Sequence, residues 1–191
     1  MEGIVGQVNA FIETYLAQAP HVLIAIDGRC AAGKTTLAAS LHKKTGCNVL
    51  HMDHFFLQKE QRTKARLDEP GGNVDYERFL AEALIPLRAG GAFAYRPYDC
   101  KTERFAAPVH IEPHPINIVE GSYSCHPALV RQYDGRIFLT VEQETQMRRI
   151  LKRNGDACAT RFFERWIPLE ERYFAAFDVM AQCDAVYHTD D

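Results

Sequence analysis

The sequence predicts an α/β fold: a parallel five-stranded sheet with helices on both faces, in a single domain over residues 1–191. Three observations predict it: short apolar or β-branched runs spaced along the chain, helical stretches between them, and a length of 191 residues, which suits one domain with a substantial core. Strands that alternate with helices imply a parallel sheet covered on both faces. The predicted strands are Val22–Ile26, Asn48–Asp53, Ile116–Glu120, Arg136–Val141 and Ala185–His188.

The predicted helices lie before and between these strands. Residues 4–18 place their apolar side chains on one helical face, which we expect to dock against the sheet. Pro168 breaks the last helical stretch and is expected to begin a new helix, since Glu170 and Glu171 suit a first turn. The remaining predicted helices cover 34–44, 74–89, 127–132 and 142–153, and the stretch that Pro168 breaks covers 159–182.

A glycine-bounded loop follows the first predicted strand and leads directly into a helix. It reads Gly28-x-x-x-x-Gly33-Lys34-Thr35, in the strand–loop–helix context of a phosphate-binding P-loop. Glycines let successive backbone N–H groups point inward around a phosphate, Lys34 supplies a charge for the β- and γ-phosphates, and the Thr35 hydroxyl is placed to ligate Mg²⁺. The motif predicts the P-loop NTPase fold, ATP and Mg²⁺ as cofactors, and nucleotide contacts from Gly28, Arg29, Cys30, Ala31, Ala32, Gly33, Lys34, Thr35 and Thr36.

Three acids end three of the apolar runs: Asp27, Asp53 and Glu120. In a parallel sheet they open onto the edge that carries the phosphate loop, where phosphoryl transfer needs a Mg²⁺ ligand and a base for the acceptor hydroxyl. Glu120 is expected at the metal, and Asp53 precedes a loop able to face an acceptor. For Asp27, a structural role in bracing the phosphate loop is an equal alternative. His51 and His54 are predicted not to form a metal pair, since three-residue spacing on a strand puts them on opposite faces.

A basic cluster on one helix face predicts a small helical lid over residues 148–160. Arg148, Arg149, Lys152 and Arg153 follow the spacing i, i+1, i+4, i+5, and the Asn-Gly-Asp turn after them suits a mobile connection. Cationic groups that close over a transferring phosphoryl group stabilise its charge. A solvated helix end is the alternative interpretation.

The least regular parts of the chain are residues 54–73 and 90–115, which are rich in proline, glycine and charge. In an open α/β sheet such connections cross the carboxyl ends of the strands, where ligands bind. These two segments are therefore predicted to bind the phosphoryl acceptor.

Composition and charge exclude several classes of partner. A formal charge of −3 gives no hint of nucleic acid or of an anionic membrane surface, and no apolar run approaches the roughly 18 residues that span a bilayer. Arg29 is the first lysine or arginine, so the basic region of a secretory signal is missing and a cytoplasmic location is expected. The six cysteines form no C-x-x-C pair, which argues against zinc, and disulfides are not expected. The predicted partners are ATP and a small hydroxyl-bearing metabolite, with a homo-oligomer left open.

In the order of its motifs the chain resembles the uridine kinase group of P-loop small-molecule kinases, which includes phosphoribulokinase, pantothenate kinase and nicotinamide riboside kinase. The resemblance implies an ATP- and Mg²⁺-dependent kinase that phosphorylates a hydroxyl of a nucleoside or a similar small metabolite. The matching motifs are Ile24-Ala25-Ile26-Asp27-Gly28 through Thr36, Met52-Asp53-His54-Phe55-Phe56, Asp68-Glu69-Pro70, Pro97-Tyr98-Asp99, Val119-Glu120-Gly121 and the basic run 148–153.

The same resemblance implies roles for single residues. The implied roles are Asp53 as the general base, Thr35 and Glu120 at magnesium, Arg149 with Lys152 or Arg153 in the lid, Asp68 on ribose hydroxyls and Tyr98 against the base.

The acceptor segments depart from the uridine kinase pattern. After Tyr98-Asp99 those enzymes carry an aromatic residue and then a histidine that reads the pyrimidine, whereas here Cys100 and Glu103 occupy the nearest positions. A carboxylate accepts hydrogen bonds and pairs with cations, so Glu103 favours a cytidine-like or cationic nicotinamide-like ring over uridine. A solvent-facing Glu103 is the alternative.

Two classes of function stay open from the sequence. One is the kinase, and the other is a P-loop ATPase or nucleotide-dependent switch in which hydrolysis acts on a partner. An aspartate before an acceptor loop and a basic lid favour the kinase, and the chain has no Asn-Lys-x-Asp motif for guanine. Among kinases, a sugar, a vitamin precursor and nicotinamide riboside are alternative acceptors.

Overall fold

A computed structural model describes residues 1–190 apart from the side chains of 157 and 158, so the Cys158 thiol lies outside the described residues. The strands are β1 (Val22–Gly28), β2 (Asn48–His51), β3 (Phe93–Tyr95), β4 (Tyr98–Asp99), β5 (Arg104–Phe105), β6 (Val109–Ile111), β7 (Ile116–Glu120), β8 (Gly135–Thr140) and β9 (Ala185–His188). The α-helices are α1 (Glu2–Leu16), α2 (Lys34–Thr45), α3 (Lys64–Asp68), α4 (Tyr76–Phe79), α5 (Ile85–Ala89), α6 (Gln143–Asn154), α7 (Asp156–Arg161) and α8 (Ile167–Phe177).

Five of these strands form one parallel sheet in the order β2-β7-β1-β8-β9. This confirms the predicted architecture, with strands from the same five regions of the sequence. All residues of the central strand β1 are buried, because helices cover both of its faces. Since the strands run in one direction, the carboxyl ends of β1, β2 and β7 open on the same edge of the sheet.

Side chains alternate along β1 between two hydrophobic layers, as the pleat of a strand requires. Leu23 and Ala25 belong to one layer, which side chains of α4, α5 and α8 complete. Val22, Ile24 and Ile26 belong to the other layer, which α1 and α2 cover. The apolar face of α1 is therefore docked against the sheet, as its sequence pattern predicts.

Two helical regions contain a π-helical segment just before a proline. Leu80–Leu84 precedes Pro86 in α5, and Phe162–Trp166 precedes Pro168 in α8. Proline lacks an N–H, and its ring collides with the carbonyl four residues earlier, so a wider turn before it removes both conflicts. Pro168 lies in the first turn of α8, but the backbone remains helical from α7 through Phe162–Trp166 into α8, so the break predicted at Pro168 is wrong and the helix widens there instead. No described helix is both long enough and apolar enough to cross a membrane.

The second strand ends earlier than the sequence predicts. β2 stops at His51, and Met52–Phe55 form a 3₁₀ turn. The rings of His51 and His54 consequently meet edge to face with 5.1 Å between their centroids, so the prediction that they lie on opposite faces is wrong. The same turn carries Asp53 to the wall of a cavity beside the phosphate loop.

The segments predicted to be irregular hold only short elements. Within 90–115, β3 pairs with β6 and β4 pairs with β5 as two small antiparallel ladders. Within 54–73 the chain forms α3 and a 3₁₀ turn. The helix predicted at 127–132 is reduced to a 3₁₀ turn at Val130–Gln132.

Candidate active site

The phosphate loop joins β1 to α2, and its backbone explains the two glycines. Gly28 has a φ of 131° and Gly33 a φ of 92°, which side chains rarely allow. A Cβ on Gly28 would also lie 2.0 Å from the carbonyl oxygen of Leu139 in β8, so a larger residue does not fit. Gly33 immediately precedes α2, and the loop therefore ends at a helix N-terminus, which attracts anions.

Lys34 is folded over this loop. Its Nζ donates to the carbonyl oxygens of Gly28 at 2.6 Å and of Arg29 at 2.9 Å, and to Ser122 Oγ at 3.2 Å. Within the described part of the chain no carboxylate forms an ion pair with it. Backbone dipoles hold the ammonium group at the cavity wall, where it stays available to a phosphate.

Thr35 and Glu120 bring hydroxyl and carboxylate oxygens together at the end of β7. Thr35 Oγ1 lies 3.2 Å from each carboxylate oxygen of Glu120. His51 Nδ1 contacts Glu120 Oε1 at 2.5 Å, and this hydrogen bond raises the pKa of His51. Oxygen donors of this kind are those that Mg²⁺ prefers, so the residues present fit the predicted metal.

Asp53 lines the same cavity from the turn after β2. It is open to the cavity and yet surrounded by protein, and this desolvation, together with the charge of Glu120, raises its pKa. Lys34 and His51 act in the opposite direction on the pKa of Asp53. The carboxylates of Asp53 and Glu120 and the ammonium group of Lys34 therefore line one cavity at the carboxyl ends of the strands.

Asp27 has a different environment, because it is fully buried behind the loop. Its carboxylate accepts four hydrogen bonds, from the backbone N–H groups of Gly28, Tyr123 and Cys125 at 2.7, 3.2 and 2.8 Å and from the hydroxyl of Tyr173 at 2.9 Å. Burial raises the pKa of Asp27 to about 6. Of the two roles considered for Asp27, this geometry supports bracing of the loop.

Two acids of α8 contact the phosphate loop, and no sequence pattern indicates this contact. Glu170 is 5% exposed, and its carboxylate accepts hydrogen bonds from the Cys30 N–H at 2.9 Å and from Ser122 Oγ at 2.6 Å. Glu171 pairs with Arg29 at 2.7 Å. One backbone donor of the loop is thus occupied by a carboxylate. Burial and the nearby Glu170 raise the pKa of the Cys30 thiol to about 12, so the thiol is protonated at neutral pH.

A cavity of about 1320 Å³ opens beside the loop. Its wall combines the loop, the ends of β2 and β7, parts of 54–73 and 90–115, and residues from α6 to α8. Charged side chains are prominent in this wall. Among the described residues the cationic ones are Lys34, Arg62, Lys101, Arg149, Arg153, Arg161, Arg165 and Arg172, and the acidic ones are Asp53, Asp68, Glu120, Glu164 and Glu170.

The basic face of α6 lies beside the loop. Arg149 lines the cavity, donates to the carbonyl oxygen of Ala31 at 3.2 Å and to Thr189 Oγ1 at 3.1 Å, and also contacts the Thr189 carbonyl oxygen. Arg153 lines the cavity as well, at the end of the same helix. The predicted lid helix therefore touches the loop directly. The other two basic residues of the face, Arg148 and Lys152, are not part of the cavity wall.

The three residues predicted to bind the acceptor occupy different places. Asp68 lines the cavity from the end of α3. Tyr98 is only 6% exposed and packs against Phe105, and Glu103 lies 3.4 Å from Lys59 at the surface. Neither Tyr98 nor Glu103 is part of the described cavity wall, and their roles stay predictions.

Sequence reasoning did not single out several residues of the cavity. Arg62 and Lys101 belong to the two segments predicted for the acceptor, so their region was indicated although their side chains were not. Glu170 and Arg172 come from α8, and only the packing of that helix brings them to the loop. Their positions carry no local signal in the sequence.

No protein-family model matches the chain, and no curated protein matches it in sequence. Its backbone is nevertheless similar to solved structures. A possible uridine kinase from Bacillus stearothermophilus has a TM-score of 0.71 and 20% identity, covering 98% of this chain and 100% of that one. A protein from Silicibacter sp. TM1040, provisionally described as a fructose transport system kinase, has a TM-score of 0.65 and 22% identity, covering 93% and 97%.

A third similar structure is YFH7 from Saccharomyces cerevisiae, described as a candidate P-loop kinase with a circular permutation. It has a TM-score of 0.67 and 10% identity, and the match covers 100% of this chain and 98% of that one. The chain thus has the α/β fold of P-loop kinases of the uridine kinase-like type. This agrees with the resemblance that its motifs indicate.

Proposed function

We propose that the protein is an ATP- and Mg²⁺-dependent kinase that transfers the γ-phosphoryl group to a hydroxyl of a small metabolite of the nucleoside or sugar type. The observation that carries the proposal is the convergence of Lys34, Asp53 and Glu120 on one cavity beside the phosphate loop. Phosphoryl transfer needs a cation for the phosphates, a base for the acceptor and a ligand for the metal, and these three residues supply them. A cavity of about 1320 Å³ has room for a nucleotide and a second small molecule.

In this proposal the loop and Lys34 bind the β- and γ-phosphates. The backbone N–H groups of the loop surround the phosphates, and the N-terminus of α2 adds its positive end. Lys34 Nζ exchanges the carbonyl oxygens of Gly28 and Arg29 for phosphate oxygens. Arg149 and Arg153 face the same space and stabilise charge that develops on the transferring group.

Thr35 and Glu120 would hold Mg²⁺, because their oxygens already lie within 3.2 Å of each other. When bound, the ion would neutralise phosphate charge and orient the phosphates. His51 is a positioning residue in this arrangement, since its Nδ1 fixes one oxygen of Glu120.

Asp53 accepts the proton of the acceptor hydroxyl. The pKa of Asp53 is higher than that of an ordinary aspartate and so lies closer to neutral pH. An ionised carboxylate with a higher pKa is a more effective base. Asp68, on the wall formed by residues 54–73, would accept hydrogen bonds from other hydroxyls of the acceptor. A ring of the acceptor near Tyr98 or Glu103 requires these segments to close further over the cavity.

The proposal is tested by following ADP release from ATP and Mg²⁺ against a panel of acceptors: uridine, cytidine, nicotinamide riboside, pantothenate, ribose and fructose. A kinase releases ADP only when an acceptor is present, and a phosphorylated product of matching mass appears. ADP release that no acceptor stimulates would instead indicate the ATPase or switch.

Lys34→Ala is the matching variant, and we expect it to abolish ADP release while the melting temperature changes little. The lysine charge acts on phosphates at the cavity wall and not in the hydrophobic layers. Lys44→Ala, an exposed position at the far end of α2, is the control and should retain full activity. A folded Lys34→Ala protein with nearly normal turnover would exclude the proposed kinase.

A further inference from the structure

We propose that the phosphoryl acceptor is anionic: a hydroxyl-bearing metabolite with a carboxylate or phosphate group that binds to Arg62, with Lys101 adding positive charge nearby. The inference rests on the proposed kinase function and narrows its substrate class. We define the acceptor wall as the cavity-lining residues of 54–73 and 90–115 together with Arg172, which donates a hydrogen bond to the first of these segments. The charges of this wall are the basis of the inference.

Several arginines away from the cavity form ion pairs with carboxylates. Arg66 lies 2.6 Å from Glu77, and Arg88 lies 2.6 Å from Asp134. The acceptor wall differs: within residues 1–190, no carboxylate forms an ion pair with its three cations. These cations are Arg62, Lys101 and Arg172.

Arg62 is the most constrained of the three. It is half-buried, and its Nε donates to the carbonyl oxygen of Leu57 at 3.0 Å. Arg62, Cys100 and Asp53 line the same cavity. Burial raises the pKa of the Cys100 thiol, the nearby charge of Arg62 lowers it, and the charge of Asp53 raises it. Arg62 is therefore fixed close to the proposed base, with further N–H groups of its planar fork open for a ligand.

Arg172 organises the neighbouring part of the wall. Its Nη2 donates to the carbonyl oxygens of Leu67 at 3.0 Å and of Glu69 at 3.3 Å, on either side of Asp68. Asp68 is the one acidic side chain that the described parts of 54–73 and 90–115 contribute to the cavity. Even with Asp53 included, positive charge exceeds negative charge around the acceptor.

The phosphates of ATP do not account for these cations. The nucleotide side of the cavity has its own, namely Lys34 beside the loop and Arg149 and Arg153 on α6. A neutral acceptor would leave the half-buried guanidinium of Arg62 without a counter-charge, whereas a carboxylate or phosphate accepts two parallel hydrogen bonds from it. An anionic group on the acceptor satisfies Arg62 and places the reacting hydroxyl near Asp53.

The test compares neutral acceptors with anionic derivatives of the same carbon chain. Two series are glycerol, glycerate and glycerol 3-phosphate, and ribose, ribonate and ribose 5-phosphate, which separate the carboxylate from the phosphate. They are added to the acceptor panel with ATP and Mg²⁺, and ADP release is measured. We expect kcat/KM for an anionic member to exceed that of its neutral counterpart about 10- to 100-fold, the range for a charge-assisted hydrogen bond.

Variants of Arg62 locate the effect. Arg62→Gln should raise KM for the anionic acceptor about 10-fold or more. The ratio of kcat/KM for the anionic acceptor to that for the neutral one should fall close to one, while KM for ATP stays within about twofold. Arg62→Lys should restore part of the preference. Arg131→Gln, at an exposed position outside the cavity, is the control and should keep the full preference.

A second measurement does not depend on turnover. With ADP and Mg²⁺ at saturation, ribose 5-phosphate should slow alkylation of Cys100 by iodoacetamide, because an anion on Arg62 covers the adjacent thiol. Ribose should not slow it, and Arg62→Gln should remove the protection. Mass spectrometry of the peptide that carries Cys100 gives the site.

The outcomes separate the two proposals. Turnover of neutral acceptors at least as fast as of charged ones, or a charge preference that Arg62→Gln leaves unchanged, overturns the anionic acceptor and leaves the kinase standing. If no acceptor of either charge stimulates ADP release, the proposed kinase fails and this inference fails with it.

Discussion

At the scale of single residues, Asp53 stands between opposing charges. Desolvation by the surrounding protein and the charge of Glu120 raise its pKa, whereas the charges of Lys34 and His51 act to lower it. A base needs this balance, because it must be charged before the reaction and able to hold a proton afterwards. The 3₁₀ turn after β2 sets up the balance by moving Asp53 off the sheet and into the cavity.

We expect Asp53→Asn to lower kcat by about 10²-fold, since the amide cannot accept the proton of the acceptor hydroxyl. KM for ATP should change little, because in the proposed function the loop and Lys34 bind the phosphates. Steady-state assays over a range of ATP concentrations give both values. Asp178→Asn, at an exposed helix end outside the cavity, is the control. An unchanged kcat would move the base to another acid, and Glu120 is the nearest candidate.

Glu170 puts a negative charge where phosphates are expected. Because its carboxylate occupies the Cys30 N–H and Ser122, Glu170→Gln keeps the shape of the contact and removes the charge. We expect the Kd for ATP to fall about 10-fold, equivalent to about 1.4 kcal/mol. Calorimetric titration measures it, with the exposed Glu13→Gln on α1 as the control. Weaker ATP binding in Glu170→Gln would instead mean that the carboxylate holds the loop in its binding shape.

At the scale of elements, α6 is tied to the phosphate loop by Arg149 through the carbonyl of Ala31. Arg149→Ala should reduce kcat by about 10²-fold, as for the loss of a group that stabilises developing charge, and raise KM for ATP less. Steady-state kinetics give both. The exposed Arg131→Ala should behave like the unchanged protein. Equal losses in the two variants would show that Arg149 belongs to a solvated helix face.

The elements also show which parts of the structure local sequence determines. Strands such as β7 are predictable because an apolar run and a terminal acid are local features. The early end of β2 and the π-helical segments before Pro86 and Pro168 are harder to predict from local sequence, because they depend on how these segments pack against the rest of the chain.

The same division applies to the site. Lys34 and Thr35 follow from a local motif whose spacing suits a loop that surrounds a phosphate. The contact of Glu170 with the phosphate loop and the place of Arg62 in the cavity wall depend on residues far away in the chain, so nothing near either residue in the sequence distinguishes it from a surface charge. Predicting them requires the position of α8 and of residues 54–73 relative to the loop.

At the scale of the whole molecule, Asp27 connects β1, the segment after β7 and α8. Its pKa rises from 3.8 to about 6 on folding, so between these values the folded chain holds a proton that the unfolded chain has lost. Its contribution to the free energy of unfolding is therefore complete below pH 4 and decreases by about 3 kcal/mol as the pH rises through 6.

Urea unfolding at several pH values tests this, with Asp27→Asn as the reference because the amide does not titrate. The free energy of unfolding of the natural protein minus that of Asp27→Asn should decrease by about 3 kcal/mol between pH 3 and pH 7. Other titrating groups cancel in this difference. A difference that grows with pH would mean that the hydrogen bonds to Asp27 outweigh its burial.

The central position of β1 has a consequence for how the protein is made. Its neighbours β7 and β8 pair Val22 with Ile116 and Ile24 with Gly135, partners about 100 residues apart, so the sheet closes late and through long-range contacts. A chain emerging from the ribosome holds β1 and the whole loop motif long before it holds the strands that fix them. In the proposed function, nucleotide binding would therefore be acquired together with the completed sheet, and ATP that binds only the folded chain would favour the completion of folding.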